Sequence, residues 1–172
     1  MTREESKTLR ERITVHFEKG EMEEGLSLLE GEQQLPKAVY EECLGNMFFY
    51  KGDMQNAVIK YEYAITLDPD HPIARYQYLA GVQQEGKKDY VSAFKRYQYA
   101  IEIEPTFVDT YVELGAMLAK IGDFEGAVQC YRDAARLAPT LKNFHNLREI
   151  LRKLIKDNPE KYSEELKEIE SK

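Results

Sequence analysis

The sequence predicts an all-α protein built as a solenoid of antiparallel helix pairs. Three observations lead to this prediction: prolines recur at a near-constant interval, a similar helical segment precedes each of them, and a glycine followed by an aspartate separates helices within a unit. Pro69, Pro105 and Pro139 are separated by 36 and 34 residues. A helix pair of that length cannot bury its apolar face alone, so stacked neighbours must share a core.

The composition agrees with a helix-rich fold and argues against several functions. The 172 residues are 42% hydrophobic and 32% charged, and the 12 tyrosines and 7 phenylalanines are too many for a disordered chain. A net charge of −7 argues against nucleic-acid binding, which needs clustered Lys and Arg. No apolar run approaches the roughly 18 residues of a membrane span, and no apolar segment near the N-terminus predicts a signal peptide. We therefore expect a cytoplasmic protein that binds neither nucleic acid nor membrane.

The second helix of each unit carries an Ala–Tyr–Ala set at positions i, i+4 and i+7, which lie on one helix face. The three sets are Ala57-Tyr61-Ala64, Ala93-Tyr97-Ala100 and Ala127-Tyr131-Ala134. The first helix carries Leu44-Gly45 in one unit and Leu114-Gly115 in another, and a Gly-Asp pair follows it. Glycine ends the first helix and aspartate caps the second, so each unit consists of helix, turn, helix and proline.

These residues resemble the tetratricopeptide repeat family, whose unit of about 34 residues has Leu-Gly, Ala, an aromatic, Ala and Pro at fixed positions. The resemblance implies a right-handed superhelical solenoid of about ten helices, including a C-terminal capping helix. It implies one domain over residues 1–172. Its parts are a degenerate repeat at 6–37, repeats at 38–71, 72–107 and 108–141, and C-terminal capping helices at 142–172.

The middle repeat is two residues longer than its neighbours. The extra pair can lie between repeats or inside the turn of this one. The first register would bury Gln77, Gln83 and Gln84, at a cost of about 1–3 kcal/mol for each amide without a partner. We therefore predict that Gly86 is the turn glycine and that Lys87–Lys88 is an insertion in the turn.

The two ends of the chain depart from the repeat. In residues 6–37, Gly25 and Glu32 replace core alanines, which an end repeat tolerates because one of its faces meets water. After Pro139 an apolar stripe near helical spacing predicts a helix that covers the last repeat. The stripe consists of Leu141, Phe144, Leu147, Ile150, Leu151, Leu154 and Ile155.

No pattern in the sequence predicts catalysis. There is no glycine-rich phosphate loop, no nucleophile elbow and no pair of histidines at metal-ligand spacing. Cys43 and Cys130 are 87 positions apart and are expected to be reduced packing residues. We expect no enzymatic activity, no cofactor, no metal and no small-molecule substrate.

The family resemblance implies a binding surface on the inner, concave wall, at defined positions of the first helix of each repeat. Apolar side chains in such a groove suggest a protein or peptide partner, and the alternative is that they merely line it. The protein is expected to be a monomer or a weak homodimer. The expected partner-binding residues are Val39, Glu42, Asn46, Phe49, Tyr50, Tyr76, Gln77, Ala80, Gln83, Asp109, Val112, Glu113 and Ala116.

Three functions follow from this interpretation. Relatives that bind chaperone C-termini use a clamp of basic and amide side chains; the matching positions here are Glu42, Asn46, Gln77, Asp109 and Glu113, whose three carboxylates would repel that ligand. We expect a non-catalytic adaptor or assembly scaffold. The alternative is a small secretion-type chaperone that holds an export client, which the chain resembles in size, acidity and repeat number. An enzyme or a nucleic-acid-binding protein comes third, because the required motifs and positive charge are missing.

Overall fold

The helices that the repeat spacing predicts are all present. The computed structural model describes residues 2–32, 34–156 and 158–170, which form ten α-helices and no β-strand. In chain order the helices are α1 (Arg3–Glu18), α2 (Met22–Gly31), α3 (Lys37–Tyr50), α4 (Met54–Leu67), α5 (Ala74–Gly86), α6 (Tyr90–Ile103), α7 (Val108–Lys120), α8 (Phe124–Leu137), α9 (Leu141–Ile155) and α10 (Pro159–Glu170). The chain divides into two compact units, one ending at Leu79 and the other beginning at Ala80, so that α5 contributes to both.

The first unit contains the degenerate repeat and the repeat after it. Helix α1 packs on α2 and along α3, and α3 packs on α4. Where other repeats have a core alanine, Gly25 faces the ring of Phe17, and a Cβ there would lie 2.4 Å from Phe17 Cε1. The glycine therefore makes room for a larger neighbour. One buried apolar cluster of this unit consists of Leu9, Ile13, Phe17, Leu29, Val39, Cys43 and Met47.

The second unit contains the remaining helices, with α7 packed on α8 and with α9 packed on both α8 and α10. The predicted core tyrosines Tyr97 and Tyr131 are 0% and 8% exposed. The predicted cap is confirmed for Leu147 and Leu151 but wrong for Leu141, which is 78% exposed. Leu141 is the first residue of α9, and the chain buries Asn143 instead.

Asn143 occupies that buried position because its amide is satisfied there. Its Nδ2 donates to the carbonyl oxygens of Ala138, at 2.8 Å, and Ala134, at 3.3 Å. Ala134 lies in the last turn of α8 and Ala138 is its C-cap residue, and the two carbonyls also accept from the backbone N–H groups of Ala138 and Thr140. The polar side chain thus caps α8, whereas Leu141 has no comparable interaction to make.

The turn between paired helices has the same form in every repeat. Gly20, Gly52 and Gly122 take a left-handed backbone with φ of 79°, 80° and 89°. In the middle repeat Lys88 takes this place, with φ of 63°. The aspartate after it, Asp89, accepts a hydrogen bond from the Ser92 backbone N–H at 3.1 Å and caps α6.

The predicted insertion of Lys87–Lys88 in the turn is therefore wrong. The Lys88 and Asp89 backbone N–H groups donate to the carbonyls of Glu85 and Gln84 at 2.8 and 3.0 Å, the same pattern that the Gly52-Asp53 turn makes. The two extra residues lie between α4 and α5, because the connection 68–73 is longer by two than the connection 104–107.

The prediction assumed that the register with the extra pair between repeats buries three amides, and this assumption does not hold. Gln83 is exposed and Gln77 and Gln84 are half-exposed, so the correct register buries no amide. A lysine at left-handed φ costs roughly 1–2 kcal/mol. The cap that Asp89 provides is worth about 0.5–2 kcal/mol and offsets this cost.

Candidate functional site

The corrected register moves the inner-wall positions of α5 by two residues. Gly81 is equivalent to Gly45, because each leaves room for the tyrosine ring of the next helix: a Cβ on Gly81 would lie 2.6 Å from Tyr97 Cε1. The inner-wall positions of α5 are therefore Arg75, Tyr78, Leu79, Val82, Glu85 and Gly86. Sequence reasoning missed them, although the caps Asp53, Asp89 and Asp123 each precede a core alanine by four residues and carry the register.

In the first unit, most of the predicted partner-binding residues lie in the interior. Val39, Glu42, Asn46 and Phe49 on α3 are between 1% and 9% exposed. Tyr50, Tyr76 and Gln77 are half-buried. The α3 wall is therefore closed by contacts within the unit.

A buried acid at the start of this wall forms an ion pair with an arginine and contacts a histidine. Glu42 Oε2 lies 3.2 Å from Arg10 Nη1 on α1 and 2.8 Å from His71 Nε2 in the connection before α5. A carboxylate that is 3% exposed would be costly without such partners. Glu42 therefore holds the first unit together.

The contacts one and two turns further along α3 are also polar. Asn46 Nδ2 donates to Thr14 Oγ1 at 3.0 Å, and its Oδ1 accepts from the Tyr61 hydroxyl at 2.8 Å. The Tyr50 hydroxyl donates to Glu18 Oε1 at 2.6 Å. We call the three pairs Arg10–Glu42, Thr14–Asn46 and Glu18–Tyr50 the polar ladder.

Arg75 completes the last rung of the polar ladder. Its Nη2 donates to the Tyr50 hydroxyl at 2.6 Å, and its guanidinium lies 5.3 Å from the centre of the Tyr50 ring. Burial raises the pKa of Tyr50, while Arg75 lowers it. The hydroxyl therefore keeps its proton at physiological pH and can donate a hydrogen bond to Glu18.

In the second unit the predicted residues are accessible. Asp109, Ala116 and Gln83 are exposed, and Val112, Glu113 and Ala80 are half-buried. The corrected register adds Val82, which is 40% exposed, and the half-buried Glu85. We call the surface formed by α7 and the end of α5 the acidic wall. It consists of Val82, Glu85, Asp109, Val112, Glu113 and Ala116.

Glu113 is an acid of this wall whose ionisation is affected by burial. Burial raises its pKa, and the nearby carboxylates of Glu85 and Asp109 raise it further, whereas Lys142 lowers it. Glu85 is itself bound by Lys120, whose Nζ lies 3.1 Å from its Oε1. Within the described part of the chain, Glu113 makes no hydrogen bond or ion pair.

The described ranges contain no group of three or more His, Cys, Asp or Glu that could hold a metal ion. Cys43 and Cys130 are free thiols, and burial raises the pKa of both, that of Cys130 to about 11. Such thiols are poor nucleophiles at neutral pH. Among these same helices, none combines the length and the apolar character of a membrane span.

The repeat also appears in comparisons with known proteins. Residues 97–129 match the family model of the tetratricopeptide repeat. The small glutamine-rich tetratricopeptide repeat-containing protein 2 of Mycosarcoma maydis is 29% identical over 109 residues, which are 63% of this chain and 30% of that protein. With the repeat geometry described above, these matches support tetratricopeptide repeats in this chain, one of which matches the family model directly.

Solved structures share the fold at low sequence identity. MamA from Desulfovibrio magneticus RS-1 is 20% identical, with a TM-score of 0.54 over 96% of this chain and 93% of that one. PilF of Pseudomonas aeruginosa is 18% identical, with a TM-score of 0.53 over 86% of this chain and 70% of that one. Similarity at this level supports the helix-pair fold.

Proposed function

We propose that the chain is a non-catalytic interaction module that binds a protein or peptide segment on the acidic wall. It would act as an adaptor or assembly scaffold. A segment laid along α7 meets a surface that is already formed, so little ordering is needed on this side. The α3 wall is left out of the proposal, because Glu42 and Asn46 are buried in the polar ladder.

The observation that carries the proposal is the state of Glu113. Its half-buried carboxylate lies near two other acids and lacks an ion pair among the described residues, and burial together with those acids raises its pKa. A Lys or Arg brought by a ligand would reverse that effect, because an opposite charge favours the ionised carboxylate. Val112 and Ala116 beside it offer apolar area for the rest of the segment.

The proposed ligand is therefore a segment that combines Lys or Arg with small or medium apolar residues. Charges at such a surface act mainly on association rate and specificity. Exposed charges are also screened by salt. We expect binding to weaken as ionic strength rises, and acidic segments to be rejected.

A selection from a random peptide library on the immobilised full-length chain tests the proposal. We expect the selected peptides to be enriched in Lys and Arg. Glu113→Lys should weaken their binding at least tenfold, as measured by fluorescence anisotropy. Glu102→Lys is the matched control: it makes the same change in charge at an exposed position of α6.

The control separates local recognition from general attraction to an acidic protein. If the selected peptides lose the same affinity for both variants, only net charge attracts them and the acidic wall is not the site. Peptides without basic residues that bind Glu113→Lys as well as the unchanged chain would contradict the proposal. Ala116→Arg, which adds bulk to the wall, should weaken binding at high salt as well.

A further inference from the structure

Helix α10 is fastened to the second unit mostly by polar contacts. Only Tyr162 and Ile169 are deeply buried among its described side chains, at 1% and 5% exposed. Arg132 on α8 binds Glu165 through both carboxylate oxygens, with Nε–Oε1 and Nη2–Oε2 distances of 2.6 and 2.5 Å. A two-point contact of this kind fixes orientation as well as position.

A second polar contact sets the register of α10 one turn earlier. Lys161 Nζ lies 3.0 Å from both carboxylate oxygens of Glu125, and the Tyr162 hydroxyl donates to the same carboxylate. A third joins Arg152 Nη2 on α9 to Glu170 Oε1 at 2.7 Å. The face of α8 and α9 therefore matches a helix of defined sequence, in which a basic residue and an aromatic residue are followed one turn later by a carboxylate.

The attachment of α10 is of the kind that opens readily. Lys161 and Glu125 are 53% and 61% exposed in their pair, and pairs so open to water contribute little. A helix of 12 residues is marginal without its packing. Segments with few buried apolar contacts are the first to open from a native structure.

We propose that the α8–α9 face is a docking site for α10 of a second copy of this chain. A second copy offers the same Lys161, Tyr162 and Glu165, so its helix can make every interaction that the chain's own α10 makes on this face. Such exchange of an identical element is a low-cost route to dimers. The chain's own α10 competes at an effective concentration of roughly millimolar, so the unchanged protein stays mainly monomeric at low concentration.

Two charge-reversed full-length chains test the exchange. The first, with Glu125→Lys and Arg132→Glu, changes only the docking face. The second, with Lys161→Glu and Glu165→Arg, changes only α10. In each variant alone the docking face and the chain's own helix repel, whereas in the mixture each docking face is complementary to the α10 of the other chain.

Native mass spectrometry and light scattering at about 100 µM should show each variant as a monomer and the equimolar mixture as a heterodimer. This concentration lies below the roughly millimolar effective concentration of the tethered helix. Hydrogen exchange should show α10 unprotected in each variant and protected in the mixture, with α3 to α7 unchanged throughout. The chain with all four reversals is the control and should be monomeric with α10 protected. A mixture that stays monomeric, or an α10 that remains protected in both variants alone, would overturn the proposal.

Discussion

The register of the middle repeat can be tested at two neighbouring positions, Gly86 and Lys88. In the observed register Lys88 is the left-handed turn residue, with φ of 63°, and Gly86 is the last residue of α5. With Lys87–Lys88 inserted in the turn, Gly86 would be the residue that needs glycine's freedom. The two registers therefore predict opposite effects of Gly86→Ala and Lys88→Gly on the free energy of unfolding.

The magnitudes follow from backbone conformation. A Cβ on Gly86 would meet no atom within 4 Å, so Gly86→Ala should stabilise the chain by about 0.5–1 kcal/mol through helix propensity. Lys88→Gly relieves roughly 1–2 kcal/mol of left-handed strain. Glycine also makes the unfolded chain more flexible, which lowers the stability by about 0.4–1 kcal/mol. The net effect of Lys88→Gly is therefore a stabilisation of about 0.5–1 kcal/mol.

Urea denaturation followed by circular dichroism in the far ultraviolet measures both changes. Gly52→Ala, at φ of 80°, is the control and should destabilise by about 1–2 kcal/mol. Equal denaturant slopes for all chains would show that the midpoints can be compared. If Gly86→Ala lowers stability by about 1 kcal/mol or more and Lys88→Gly does not raise it, Gly86 and not Lys88 is the left-handed turn residue.

Three further changes test the packing and the charges. Gly45→Ala should destabilise by about 1–3 kcal/mol in the same assay, because its Cβ would lie 2.4 Å from Tyr61 Cε1; a midpoint like that of Gly86→Ala would contradict this close approach. Tyr61→Phe should cost about 1–3 kcal/mol, because the buried Asn46 Oδ1 loses the donor that now lies at 2.8 Å; an unchanged midpoint would show that this hydrogen bond contributes nothing. Glu113→Gln should stabilise the chain at neutral pH. Because the pKa of Glu113 is raised in the folded chain, the folded state loses stability as pH rises through and above the ordinary value of 4.5. The stabilisation by Glu113→Gln should therefore vanish in acid. A gain that is independent of pH would show that ionisation of Glu113 is not the cause.

The fold could be predicted because each of its signals acts locally. An Ala–Tyr–Ala face and a Gly-Asp turn specify a helix pair wherever they occur, so the pairs around Gly52 and Gly122 follow directly from the sequence. The middle repeat misled the prediction because a glycine, Gly86, stands two residues before the true turn. Backbone strain at Lys88 is tolerated when the next residue is a good cap, and no composition rule reveals that compensation.

The candidate site was less predictable, because the helix face on which a residue lies does not determine whether its side chain is buried. Glu42, Asn46 and Tyr50 hold the positions that the family pattern assigns to a binding wall. Whether these side chains are buried depends on Arg10, Thr14 and Glu18, each of which lies 32 residues before its partner in the sequence. A search for complementary side chains at that separation would have revealed the polar ladder, whereas a search for positions on a single helix could not.

Two acids at neighbouring positions of the repeat pattern show what distinguishes a structural residue from a candidate binding residue. Glu42 meets Arg10 and His71, so its charge is already matched and its removal would leave two partly buried basic side chains without this partner. Glu113 meets Glu85 and Asp109, so its charge is opposed by its surroundings. The first arrangement gains nothing from a ligand, whereas the second is relieved by any cation that reaches it. The charge of the neighbouring repeat, more than the position along the helix, therefore separates residues that stabilise this fold from residues that are available to a partner.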